Sequence, residues 1–174
     1  MIRIHTQQGV TLIETMVYLA LFSMIIGGAV LSAYQIFESS GRSRTRSMLT
    51  EEGNFLSGKV LWALSGARTV DAPAVPAAGV PCTQSNTLSV TKWDTTIGVL
   101  VLAQSGGNLT LARGGGGAAA INNSNVAISA LSFKHCYQGG LAPESVEVAF
   151  TLSARTPSGA IISQDFSTGA SLRK

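Results

Sequence analysis

The chain has 174 residues, a net charge of +3, 12% charged and 45% hydrophobic residues, two cysteines and two histidines. That length suits one domain plus an appendage. The charge is too small to argue by itself for nucleic-acid binding. Two histidines, one of them the near-terminal His5, leave no cluster with metal-ligand spacing.

The first nine residues, Met1 to Gly9, are short and polar, with Arg3, His5, Gln7 and Gln8. Gly9-Val10-Thr11-Leu12-Ile13-Glu14 then leads into an apolar run, Thr15 to Phe37, with no Asp, Glu, Lys or Arg across its 23 residues. As a helix that run covers about 34 Å, enough to cross the hydrocarbon core of a bilayer. Glu14 stands just inside its N-terminal end. A charge at the membrane centre costs about 2.5–3.5 kcal/mol, so this carboxylate requires a use and a cation arriving from elsewhere. An ordinary signal anchor with Glu14 at the interface is the plainer alternative. A cleaved secretory signal fits worse, because its apolar region would be about twice the usual length and no Ala-x-Ala-like site closes it.

Gly9-Val10-Thr11-Leu12-Ile13-Glu14 resembles the processing site of type IV prepilins and of the pseudopilins of type II secretion. The resemblance implies cleavage between Gly9 and Val10 by a prepilin peptidase, N-methylation of Val10, and Glu14 as the fifth residue of the mature chain. It further implies other pilin subunits and an inner-membrane assembly platform as partners. The protein would be a single-pass cytoplasmic membrane protein whose exported domain reaches a cell-surface or periplasmic filament. Val10 departs from the commoner Phe or Met. The absence of any proline before Pro73 departs from many major pilins and favours a minor role.

Gly27 and Gly28 lie mid-helix, where each costs about 1 kcal/mol relative to Ala and invites bending. With Ala29, Ser32 and Ala33 they would let neighbouring helices approach closely. Residues 38–48 are polar and basic, with Arg42, Arg44 and Arg46 beyond the membrane. Three arginines after the apolar run against one before it oppose the positive-inside rule for an N-terminus inside; the processing motif is given precedence. From Leu49 the helix continues, with Leu56, Val60 and Leu64 spaced by four and Leu49 seven before Leu56. Asp71 to Pro81, with three prolines, terminates it.

Beyond Cys82 the pattern turns to short strands. Leu88 and Val90 alternate with polar neighbours, and Ile97 to Ala103 suits a central strand. Ser105-Gly106-Gly107-Asn108 marks a hairpin turn answered by Leu109-Thr110-Leu111. Gly114 to Gly117 is a glycine loop without the Lys-Ser/Thr of a phosphate loop. Val126, Ile128, Leu131 and Phe133 lead to Cys136, and Val146, Val148, Phe150 and Leu152 alternate as a half-buried strand. Ile161 to Phe166 is the last strand, and Ser167 to Lys174 its tail. Cys82 and Cys136 read either as a disulfide closing a loop of about 55 residues or as two separate buried thiols.

The expected fold is therefore α+β and pilin-like. A long N-terminal helix, transmembrane in its first half and amphipathic in its second, packs on a C-terminal antiparallel sheet domain. The expected division is a leader at 1–9, a transmembrane or filament-core helix at 10–37, its amphipathic continuation at 38–70 and a β-rich domain at 71–174. The segment order of that domain resembles J-type pseudopilins and related minor pilins. No catalytic, cofactor or metal constellation is legible; His135-Cys136-Tyr137 lacks companions for a metal or thiol site. Asn108-Leu-Thr110 and Asn122-Asn-Ser124 fit the glycosylation triplet. Trp62 and Trp93 are expected in the core, with an exposed Trp93 that contacts a ligand as the alternative. The leading reading is a structural subunit of a type IV pilus or secretion pseudopilus. A tip-located module gripping DNA or a surface through Arg113, Lys134 and Arg155 is the competing one.

Overall fold

A computed structural model describes residues 11–77, 80–137 and 144–172. The leader, with the cleavage bond between Gly9 and Val10, lies outside the described residues. Among the described residues one helix, α1 (Leu12–Leu64), is followed by nine strands. These are β1 (Ala67–Ala72), β2 (Cys82–Ser85), β3 (Thr87–Lys92), β4 (Val99–Ser105), β5 (Asn108–Arg113), β6 (Ala119–Ala120), β7 (Val126–Cys136), β8 (Glu144–Arg155) and β9 (Ile161–Leu172). The fold is α+β, with every strand pairing antiparallel. The chain forms two compact units, the first ending at Gly41 and the second beginning at Arg42.

From Leu12 onward the first unit is helix alone. Every residue from 11 to 37 is exposed, and the helix passes Gly27 and Gly28 without interruption. In the second unit the strands form two sheets, β1-β3-β4-β5-β6 and β2-β7-β8-β9. Leu49, Leu56, Val60 and Leu64 of α1 are buried as their spacing requires. They join Leu88, Val90, Leu100 and Leu102 of the first sheet and Phe133, Val148, Phe150 and Leu152 of the second in one core. Burying each such side chain contributes about 1.5–3 kcal/mol.

α1 ends at Leu64 rather than near residue 70, and the expected continuation at 38–70 is corrected on that point. Gly66 sits just past the end at φ 66°, the left-handed turn that stops helices cheaply only with glycine. The Lys92 ammonium then donates to the carbonyl of Trp62 (2.8 Å) and to that of Ser65, two of the acceptors a helix end leaves open. The residues freed from the helix pair with β3, so Val70 is buried in a strand.

The hairpin at 105–108 forms as read. Gly106 and Gly107 both adopt positive φ, 57° and 79°, the pair a tight two-residue turn demands. β4 occupies the middle of its sheet, as its apolar run suggests. In β7 the buried positions change phase, Val126 and Ile128 before Leu131, Phe133 and His135. An extra residue between Ser129 and Ser132, with Ala130 at φ 50°, absorbs the change. This bulge keeps both halves of the strand facing the core. β9 continues through Leu172, so the expected tail is a strand over most of its length. Its small alternating residues pair one for one with β8, from Arg155↔Ile161 to Glu144↔Leu172.

Candidate functional site

The site that the sequence singles out is the start of α1. Thr11 caps the helix: its hydroxyl faces the Glu14 amide at 3.4 Å, and its carbonyl accepts from the amides of Glu14 (3.0 Å) and Thr15 (3.2 Å). Thr11 and Glu14 stand at the spacing of a capping box, a second pattern in the same residues that the family motif obscured. Glu14 also complements the positive end of the helix dipole.

The stretch from Leu12 is built for an apolar medium. Its best 18-residue window has a mean hydropathy of 2.1, and none of it is buried within the protein. α1 is long and apolar enough to cross a membrane. The hydroxyls in the run are satisfied by their own helix: Thr15 donates to Leu12 O at 2.7 Å, Ser23 to Leu19 O at 2.7 Å and Ser32 to Gly28 O at 2.9 Å. Glu14 is the exception. Its carboxylate accepts from the Tyr18 hydroxyl at 3.2 Å, one turn along, and no described Lys or Arg pairs with it. Tyr18 was not singled out in the sequence, although its spacing of four from Glu14 is the available signal. An anionic, exposed group thus stands on an otherwise neutral apolar surface.

The other candidate residues do not converge. Cys82 and Cys136 face each other across β2 and β7 and are joined as a disulfide, with Cα atoms 4.1 Å apart. Arg113 ends β5 in one sheet, near Asp94. Lys134 lies in the other sheet, 3.7 Å from the Glu147 carboxylate. Arg155 is eight residues further along β8 than Glu147, about 27 Å of strand. These three cations form no common patch around the glycine loop, where Gly114 and Gly115 make a turn. The Thr96 hydroxyl and amide hold the Asp94 carboxyl below its ordinary 3.8, with Arg113 adding a smaller push in the same direction.

Trp62 departs from expectation, and Trp93 takes the exposed alternative, both lying outside the core. Trp62 is 44% and Trp93 66% exposed. The Lys92 ammonium lies 5.2 Å from the Trp62 ring and the Arg68 guanidinium 5.4 Å from the Trp93 ring, so each lies within cation–π range of a cation. Asn122 is spent on structure: its oxygen accepts from Leu109 N at 2.9 Å, and its amide donates to Asn108 Oδ1 (3.1 Å) and Val126 O (2.7 Å).

His135 is fully buried and joins the two sheets. Its Nδ1 lies 2.8 Å from the Pro73 carbonyl, just after β1, and its Nε2 lies 2.6 Å from Glu144 Oε1 on β8. The carbonyl only accepts, so Nδ1 carries a hydrogen. A further proton lies between Nε2 and the carboxylate. Every buried polar atom of the described side chains has a partner, and no described cluster of His, Cys, Asp and Glu has the numbers for a metal.

Residues 4–30 match the family model of the prokaryotic N-terminal methylation motif. That match, over the segment that carries Glu14, supports a type IV prepilin-like protein, and the motif implies processing by prepilin peptidase and assembly with other pilins. It also suggests a membrane-anchored, surface-exposed and structural rather than enzymatic protein. No curated protein and no solved structure matches the chain.

Proposed function

We propose that this prepilin-like chain is a structural subunit, minor rather than major, of a type IV pilus or type II secretion pseudopilus. It is made as a membrane precursor, cut between Gly9 and Val10, N-methylated on Val10 and assembled through the exposed first half of α1. The observation that carries this reading is Glu14, a carboxylate on a helix surface of 27 exposed residues, 11 to 37, with a tyrosine hydroxyl as its hydrogen-bond partner.

Cleavage creates the missing cation. The new Val10 amine of one subunit meets Glu14 of its neighbour, at an attraction of about 4 kcal/mol for charges 4 Å apart at intermediate dielectric. Both groups lose hydration, which offsets much of that gain. The pair therefore fixes the register of helix on helix more than it adds stability. The small residues Gly27 and Gly28 carry no obstruction within 4 Å of an added Cβ, which leaves that face open to a neighbouring helix. The absence of a helix-kinking proline from α1 supports the minor role.

Mass spectrometry of the protein isolated from its own membranes tests the reading. The expected mature chain begins at N-methylvaline, residue 10. A chain that still begins at Met1 in every preparation would reduce the protein to an anchored domain.

A further inference from the structure

The second unit contains a groove of about 730 Å³. It is walled by Arg44 and Met48 of α1, by Ser124 and Asn125 ahead of β7, and by Arg155 and Ile161 at the β8–β9 connection. No Asp or Glu lines it. Both arginines are exposed, and neither has a carboxylate partner among the described residues. Two guanidinium groups without counterions at one concavity repel each other, and a bound anion relieves that repulsion. The Ser124 hydroxyl supplies a neutral donor, whereas those of Ser153 and Thr156 already donate to the carbonyls of Ala127 and Ala160.

We propose that this groove binds a phosphate group, held by Arg44 and Arg155. Planar guanidinium forks suit phosphate oxygens, which accept paired hydrogen bonds. The lining is also apolar beside the charges: Met48, Pro157 and Ile161 belong to it, and Ile161 is 63% exposed. A phosphate that carries an apolar tail matches both parts. Along α1, Arg44 follows Phe37 by seven residues, about 10 Å of helix. For a chain resident in a bilayer, that distance carries the Arg44 backbone just past a headgroup layer about 5–8 Å deep, within reach of a lipid phosphate for a long snorkelling side chain. An anionic phospholipid is accordingly the favoured source, and that part rests on the membrane residence proposed above. The phosphate chemistry of the groove does not.

Native mass spectrometry of the full chain in mild detergent tests the site. Dioleoyl-phosphatidylglycerol is offered together with dioleoylglycerol, which has the same tails and no phosphate. The phosphatidylglycerol adduct is expected to dominate. R44Q and R155Q should each weaken it about tenfold, the scale of one charge-assisted hydrogen bond, while R46Q, on the same helix but outside the groove, leaves it unchanged. Equal retention of the two lipids, or an adduct indifferent to both groove variants, overturns the proposal. Inorganic phosphate at millimolar concentration separates the sources. An adduct that survives it identifies the lipid headgroup, and displacement with phosphate bound in its place identifies the free anion; both uphold the site. Flotation of the wild-type chain with phosphatidylglycerol vesicles reports membrane residence separately. A chain that floats yet fails the variant test loses this site alone, and one that stays in solution overturns the membrane reading alone.

Discussion

The Phe166 ring of β9 occupies the space where a side chain on Gly53 of α1 would begin. Gly53 is buried, and the ring that fills its place stacks on Phe150 with centroids 5.5 Å apart. α1 therefore sits against β9 at a position that tolerates no Cβ. Gly53→Ala should destabilise the second unit by about 1–3 kcal/mol, the usual cost of overpacking a filled core. Gly58→Ala, on the exposed side of the same helix with nothing within 4 Å, should instead stabilise by up to about 1 kcal/mol. Chemical denaturation of the two variants followed by circular dichroism checks the opposite signs. Equal shifts would mean that the ring moves aside without cost.

Cys82 and Cys136 close a loop with a sequence separation of 54. In the chain-entropy model such a crosslink contributes about 4 kcal/mol, by restricting the unfolded chain. It ties β2, only four residues long, to β7. Cys82→Ser with Cys136→Ser should lower the denaturation midpoint substantially, and reductant should shift the wild-type protein toward the same value. A midpoint unmoved by reductant and by the double variant would show that β2 is held by its ladder alone.

His135 and Glu144 meet inside the protein at 2.6 Å, while the other ring nitrogen donates to Pro73 O. His135→Ala takes one partner from the buried Glu144 carboxyl group and one from the Pro73 carbonyl, and removal of one partner of such a pair costs about 3–5 kcal/mol. Glu144→Gln preserves a donor for Nε2 of the Nδ1-protonated ring and should cost less, roughly 1 kcal/mol. Unfolding free energies of the two variants rank the effects. A larger loss in Glu144→Gln than in His135→Ala would show that the pair depends on the charge of the carboxylate.

Much of this architecture is legible in periodicity, because burial on one face leaves a repeat. Leu49, Leu56, Val60 and Leu64 mark the helix face, and Val146 to Leu152 mark β8. What escapes is decided by single residues acting at a distance. Gly66 stops α1 within a run that still reads as helical, and Lys92, 27 residues after the Ser65 whose carbonyl it binds, caps that end. The polar stretch after Phe166 becomes strand because β8 offers it a complete ladder. Trp62 and Trp93 are apolar by type, yet each faces a cation at the surface instead of filling the core. At the N-terminus the reverse holds. The motif around Glu14 is local, so it is visible in the sequence, whereas the Thr11 cap beneath it emerges only when the helix start is fixed.

Glu14 has a local role at the start of α1, where its charge complements the helix dipole, and the proposed one of attracting a neighbour's amine. Glu14→Ala removes both. Glu14→Gln retains the Tyr18 hydrogen bond and the shape at the third helical position, but not the charge. If the charge guides assembly, both variants should be cleaved after Gly9 normally and remain in the membrane, absent from sheared filaments. Loss of the local hydrogen bond alone changes stability by about 1 kcal/mol, too little to empty a filament of subunits. Tyr18→Phe, which deletes only that hydroxyl, should therefore assemble as the wild-type chain does. Immunoblots of sheared and membrane fractions decide the matter. Normal incorporation of Glu14→Gln would show that the acid serves the helix start, and that the contact between subunits is made by the apolar surface without it.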